Sequence, residues 1–282
     1  MGTIKRSVVA LLFAMAGTTA MAQPREGVEV GKNSAFTKLV PAEQVERSAA
    51  QQYAQMLSQA NSKKALGGKD HPQVRRLRGI ARRIIPFALP WNARARDWQW
   101  EVNLIDSSQI NAFCMPGGKI AFYTGILDKL QLSDDEVAMV MGHEIAHALR
   151  EHARERMGKT AVTHGAAQIG GALLSSIFGI NPNLTDMATR GAANLLTLEF
   201  SREDESEADL VGMDLAARAG FDPRSGVSLW QKMGAAQGAA SGQQSQVAQF
   251  FSTHPSGKNR IAEIQANLPK VMPLYERAAK IH

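Results

Sequence analysis

Ser133-Asp134-Asp135-Glu136-Val137-Ala138-Met139-Val140-Met141-Gly142-His143-Glu144-Ile145-Ala146-His147 decides how the rest of the chain is read. Ser133 followed three residues later by Glu136 is a capping box, and the acids in between suit the positive end of a helix dipole. The spacing predicts a long helix running on to about Met157. Within it His143 and His147 stand four apart, so both imidazoles lie on one face and can reach one ion. Glu144, next to the first histidine, can face a metal-bound water without displacing a ligand. An HExxH pentapeptide on a helix is the pattern of a zinc hydrolase.

Such a site needs a third protein ligand and one open position. A metzincin arrangement asks for glycine at 150 and histidine at 153, which hold Arg150 and Ala153, with His152 one residue out of step. A thermolysin-like spacing asks for a glutamate some twenty residues on, and none occurs between Glu155 and Glu199. The ligand must come from the acidic cluster Glu203, Asp204, Glu205, Glu207 and Asp209 on a separate helix. Glu205 and Asp209 are i and i+4 and continue into Gly212 and Ala216, a small apolar face that points inward. Buried carboxylates need partners. A zinc ion for Glu205 and the second nitrogen of a ligand histidine for Asp209 would supply them. Spacing alone leaves Glu207 open beside Glu205. His71, His152, His164 and His282 lack partners at ligand spacing and are expected on the surface or in packing roles.

Outward from this core, residues 41–60 and 72–85 carry helical periodicity, the second with Arg75, Arg76, Arg78, Arg82 and Arg83 on its wet face. Trp98–Ile105 alternates apolar and polar, Gln109–Met115 and Lys119–Tyr123 are short strands, and Pro116-Gly117-Gly118 is a turn. Three strands joined by short connections predict a small, mainly antiparallel sheet. Helices are expected at 184–199, 201–219, 223–236, 256–268 and 270–280. Residues 161–180 are apolar and rich in small residues, read as a buried or lid-forming helix, with peripheral membrane contact as the second reading. Residues 23–40 lack periodicity and read as a flexible arm.

The first 22 residues have a positive start at Lys5 and Arg6, a short apolar run, and Ala20-Met21-Ala22 before a mature start at Gln23, a secretory signal. The periplasm is the expected destination, with residues 41–282 forming a single metallopeptidase domain. Among 282 residues, 44% are apolar and 21% charged, within the range of globular proteins. The net charge of +6, or +4 without Lys5 and Arg6, together with 6% aromatics, calls for no nucleic-acid partner. A single cysteine, Cys114, excludes an intrachain disulfide and multi-cysteine metal sites.

HEIAH, SREDESEADLVG, THPSGKNRI and NAFCMPGGKIAFYTGIL together resemble the metallopeptidase family of HtpX and the CAAX prenyl endopeptidases, over about Asn111 to Ile264. The likeness is greatest to its soluble periplasmic, BepA- and LoiP-like, members. It implies an α+β, mainly helical, zincin-like domain whose sheet packs on the active-site helix. It implies one zinc per chain held by His143, His147 and Glu205, with Glu144 catalytic and Asp209 behind a ligand histidine. His254 would be a displaceable zinc cap, and Arg260 a basic group near the site. Either could stabilise the oxyanion. The strand with Gly118, Lys119, Ile120, Ala121 and Phe122, expected at a sheet edge by the metal, would hold an extended peptide through its main chain. The expected substrates are unfolded or misassembled envelope proteins. The rival expectation is a zinc-capped latent protein acting mainly as a chaperone-like binder.

Overall fold

A computed structural model describes residues 26–163, 195, 198–238, 248–255 and 259–280. The leader, most of 161–180 and most of the helix expected at 184–199 lie outside the described residues. The order is α1 (Ala42–Ser62), α2 (Pro72–Ile84), β1 (Glu101–Ile105), β2 (Ala112–Met115), β3 (Lys119–Tyr123), α3 (Thr124–Leu130), α4 (Asp134–Leu149) and α5 (His152–Thr163). Then follow α6 (Arg202–Arg218), α7 (Ser225–Gly238), α8 (Ala248–Thr253) and α9 (Arg260–Ala278). Among these no helix is long and apolar enough to cross a membrane.

Helix α4 is the spine. Its capping box forms as expected: Ser133 Oγ accepts from the Glu136 amide at 3.2 Å, and Glu136 Oε2 accepts from the Ser133 amide at 2.8 Å. From Glu136 to Leu149 every residue is buried, so α4 is packed on all sides rather than along one stripe. The sheet covers one side, α2 another, and α6 a third. Where α4 meets α6, a Cβ on Gly142 would fall 2.6 Å from the Gly212 carbonyl oxygen. The two backbones therefore touch, an approach open only to glycine.

The sheet is mixed, not mainly antiparallel. Its order is β1-β3-β2, with β3 parallel to β1 and antiparallel to β2. The Pro116-Gly117-Gly118 turn makes the expected hairpin, both glycines at positive φ. The connection from β1, however, carries the chain to the far edge before the hairpin returns it to the centre. Residues 106–125 are pinned there: the Ser107 amide donates to Thr124 Oγ1 and the Gly125 amide to the Ser107 carbonyl. β3 is thus the interior strand, with Ile120, Ala121 and Phe122 fully buried, and cannot be the edge that receives a peptide. Among the described residues the open edge belongs to β2, since β1 is bridged on its outer side by Leu66.

Three further expectations are corrected. The α4 helix stops at Leu149, because Glu151 takes a left-handed conformation (φ 61°), and α5 starts in a new direction at His152. Residues 27–40 are docked rather than loose. The Val28 amide donates to Asp214, and Arg154 donates to the Thr37 and Val40 carbonyls. Finally, 260–278 is one helix, running through Pro269 and Pro273. The amide bonds those prolines forfeit are offset by Ile264, Val271 and Leu274, which share one buried stripe. The α2 arginines act as struts: Arg76 donates to the Leu132 carbonyl, Arg78 to Val102 and Arg83 to Ala219.

Candidate metal centre

Helix α4 places His143 and His147 one turn apart, with their Nε2 atoms 3.1 Å from each other. Helix α6 opens with a second capping box, Ser201 with Asp204, which fixes the register that turns Glu205 and Asp209 inward. Glu205 Oε1 lies 3.3 Å from His147 Nε2, and its Oε2 lies 3.5 Å from His143 Nε2. His254, just past α8, adds Nδ1 at 3.0 Å from Glu205 Oε1 and 3.4 Å from His143 Nε2. All four side chains are buried.

These separations test whether a metal fits. Zinc bonds of ~2.0–2.1 Å to nitrogen and oxygen in a tetrahedron leave donor atoms roughly 3.3 Å apart. Four of the donor separations here, 3.0, 3.1, 3.3 and 3.4 Å, match that edge. The donor chemistry, three imidazoles and a carboxylate, is also that of zinc. The residues fit the ion.

Around the quartet, each group has a support. Asp209 Oδ1 sits 3.0 Å from His143 Nδ1, so the ring's other nitrogen faces the quartet. Phe200 stacks on His147 at 4.1 Å and Phe250 on His254 at 4.5 Å. Arg260 lies with its guanidinium 3.3 Å over the Trp230 ring. It chelates Asp209 through Nε and Nη2 and sets Nη1 3.0 Å from Glu205 Oε2. Two of its nitrogens hydrogen-bond Asp209 and the third is ion-paired with Glu205, and Arg260 does not line the cleft, which makes it a brace for the two carboxylates and not an oxyanion group there. His254 does face the cleft, where its Nε2 lies 3.8 Å from Glu144 Oε1.

Electrostatics follow from this packing. Burial pushes the His147 imidazole well below its ordinary value and the Glu144 carboxyl above its own. Burial opposes ionisation of Glu205 and Asp209 too. There it is outweighed, by His254 with the ligand histidines for Glu205 and by Arg260 with His143 for Asp209, and both end below the usual carboxylate range. Glu144 Oε1 is buried without a hydrogen-bond partner among the described residues. It lines a cleft of about 620 Å³ whose opposite wall is Asn111 to Pro116, the open edge of β2.

Two residues escaped the sequence reading. His152, expected to be a surface or packing residue, is only 1% exposed and stands 2.9 Å from His147 Nδ1 through its own Nδ1. Glu207 lies 2.9 Å from the other nitrogen of His152. The only hint in the sequence was the choice left open between Glu205 and Glu207.

A helix-borne HExxH, an acid from a second helix and a small sheet with an open edge at the cleft define a zincin-like metallopeptidase domain. Residues 73–268 match the model of peptidase family M48, and the chain belongs to that family. It is similar to the mitochondrial metalloendopeptidase OMA1 of Arabidopsis thaliana, 38% identical over 57% of this chain and 30% of the relative. The OMA1 of Schizosaccharomyces pombe is 32% identical over 75% of this chain and 58% of the relative. The metalloprotease LoiP of Escherichia coli is 27% identical over 75% and 77%. The chain thus spans between about a third and three-fifths of the length of the two OMA1 relatives.

Proposed function

We propose that this protein is a zinc-dependent endopeptidase of the bacterial envelope, in which His143, His147 and Glu205 hold the ion and His254 occupies the fourth place as a displaceable cap. The observation that carries this is the buried quartet of donors, four of whose separations match a tetrahedral edge, with Glu144 Oε1 beside it on the cleft and without a hydrogen-bond partner among the described residues. When bound, zinc supplies a Lewis acid that acidifies water and polarises the scissile carbonyl. Glu144 takes the proton of the attacking water at Oε1 and returns it to the leaving amine, and its raised affinity for protons suits both halves of that task. Asp209 keeps the His143 ring turned toward the ion, and Arg260 holds Asp209 and Glu205 in place. An extended substrate pairs its backbone with β2, whose outer edge carries no strand among the described residues. Main-chain recognition reads little side-chain identity, which suits unfolded or misassembled polypeptides.

The envelope assignment is supported by the signal features of residues 1–22 and by the likeness to LoiP, and it places the protein with the LoiP-like members of the family. The position of His254, within hydrogen-bonding distance of Glu205, favours a resting state that is latent until the imidazole swings out. Zinc content and casein hydrolysis of the chain from Gln23 onward test the proposal. One zinc per chain is expected in wild type, Glu144→Gln and His254→Ala. Glu144→Gln should lose ~10²–10⁴-fold in turnover, and His254→Ala should match or exceed wild type. A fully active Glu144→Gln would refute the assignment.

A further inference from the structure

We propose that His152 and Glu207 are positioning residues for the metal ligand His147, acting as a two-step counterpart of the direct contact between Asp209 and His143. The inference rests on the ligand reading given above.

Donor and acceptor arithmetic carries it. Glu207 Oε2 lies 2.9 Å from His152 Nε2, and Arg150 holds the other Glu207 oxygen at 2.7 Å. A carboxylate only accepts, so His152 Nε2 carries the hydrogen. With the ring hydrogen placed at Nε2, His152 Nδ1, 2.9 Å from His147 Nδ1, is left as the acceptor. His147 must donate from that nitrogen, which leaves a lone pair at its Nε2, the atom 3.1 Å from His143 Nε2 and 3.3 Å from Glu205. The relay thus selects the only tautomer of His147 that can bind a cation in the quartet, and fixes the ring's rotation. Hydrogen-bonded groups behind ligand histidines set their orientation and basicity in metal sites generally.

The fold is arranged around this contact. The left-handed Glu151 breaks α4 from α5, and the turn it makes points His152 back at His147. Arg150, on the same turn, also donates to the Gly31 carbonyl, tying the relay to the docked N-terminal segment. An alternative in which His152 only fills space leaves two adjacent, aligned hydrogen bonds of 2.9 Å and the ion pair of Glu207 without a role.

Zinc affinity of the Gln23-onward chain, measured by competition with a chromophoric chelator, separates these. His152→Leu removes the acceptor and should weaken zinc binding ~10–100-fold. His152→Asn places an amide oxygen where Nδ1 stood and should stay within about threefold of wild type, since the hydrogen bond is restored. Glu207→Ala frees the His152 tautomer and should fall between them. With cobalt in place of zinc, the visible ligand-field bands should shift in His152→Leu and Glu207→Ala but not in His152→Asn. The proposal is overturned if His152→Leu binds zinc within twofold of wild type with an unshifted cobalt spectrum, or if His152→Asn loses as much as His152→Leu, the mark of packing alone. Should His152→Leu not fold, the comparison of Glu207→Ala with His152→Asn decides in the same way. A wild-type chain that takes up no zinc refutes the proposed function itself, whereas zinc binding indifferent to residue 152 refutes only this inference.

Discussion

Replacing Gly212 with alanine tests whether the contact between α4 and α6 sets the metal geometry. A Cβ at 212 would lie 2.6 Å from the His143 amide nitrogen and 2.7 Å from the Gly142 carbonyl carbon, against an ordinary contact of 3.4 Å or more. Both obstacles are backbone, so the helices must part by about 0.8 Å locally. Overpacking of this kind costs ~1–3 kcal/mol, and the better helix propensity of alanine returns ~1 kcal/mol. The metal-free protein should therefore lose at most ~2 kcal/mol. The effect on the ion should be the clearer one. Glu205 lies seven residues before Gly212, two turns along the same face, and moves with it, while the histidines stay with α4. Metal sites tolerate displacements of only ~0.2 Å. Zinc affinity should fall at least about tenfold, roughly 1.4 kcal/mol. The control is Gly234→Ala in α7, where an added Cβ meets nothing within 4 Å, and stability should be unchanged or raised by up to ~1 kcal/mol. Chelator competition and thermal melts of both variants suffice. If Gly212→Ala keeps wild-type zinc affinity and stability, the backbone contact does not set the ligand spacing.

Two further predictions concern regions away from the ion. Glu136 accepts from the Ser133 amide, Ser228 Oγ at 2.7 Å and Lys232 at 2.7 Å; burial opposes its charge, but these contacts hold its carboxyl below the ordinary value. A depressed folded value means stability present above the unfolded value of ~4.3 and lost as pH falls through the folded one. Glu136→Gln should thus cost ~1–2 kcal/mol at pH 7 in the metal-free protein and progressively less below pH ~4, by urea denaturation; a pH-independent difference would contradict this. Cys114 is buried, and burial, with Glu144 near, pushes its thiol well up. Little thiolate forms at pH 8, so an aromatic disulfide reagent should label it at least ~10-fold more slowly in native protein than in urea.

What the sequence made legible was local. The Ser133 cap, the i and i+4 histidines and the inward pair Glu205 and Asp209 each follow from helical spacing within a single element. His152 could not be placed that way, because it lies beyond a helix break made by a left-handed glutamate, a conformation no residue pattern announces. The sheet was misread for a related reason. Short connections imply that successive strands are neighbours, but the Ser107 and Thr124 contacts route the chain past the centre and back, so the edge strand is β2 and not β3. The docked segment 27–40 has no periodicity because it binds through main-chain groups, which Asp214, Arg150 and Arg154 reach from other helices.

Charge balance explains why Arg260 stands where it does. Three carboxylates, Glu144, Glu205 and Asp209, are buried together, and the one permanently cationic side chain among them is Arg260. Buried charges are tolerated only when compensated. Arg260 offsets Asp209 and part of Glu205 from behind, with its cation held on the Trp230 ring. On the cleft side, Glu144 and the rest of Glu205 face only imidazoles, which carry no permanent charge, so the buried carboxylates exceed the fixed cations by about two. A single divalent ion at the quartet would close that gap. A guanidinium placed in the cleft instead would cancel the negative potential that would draw the ion; Arg260 sits behind the four donors, where it leaves that potential in place.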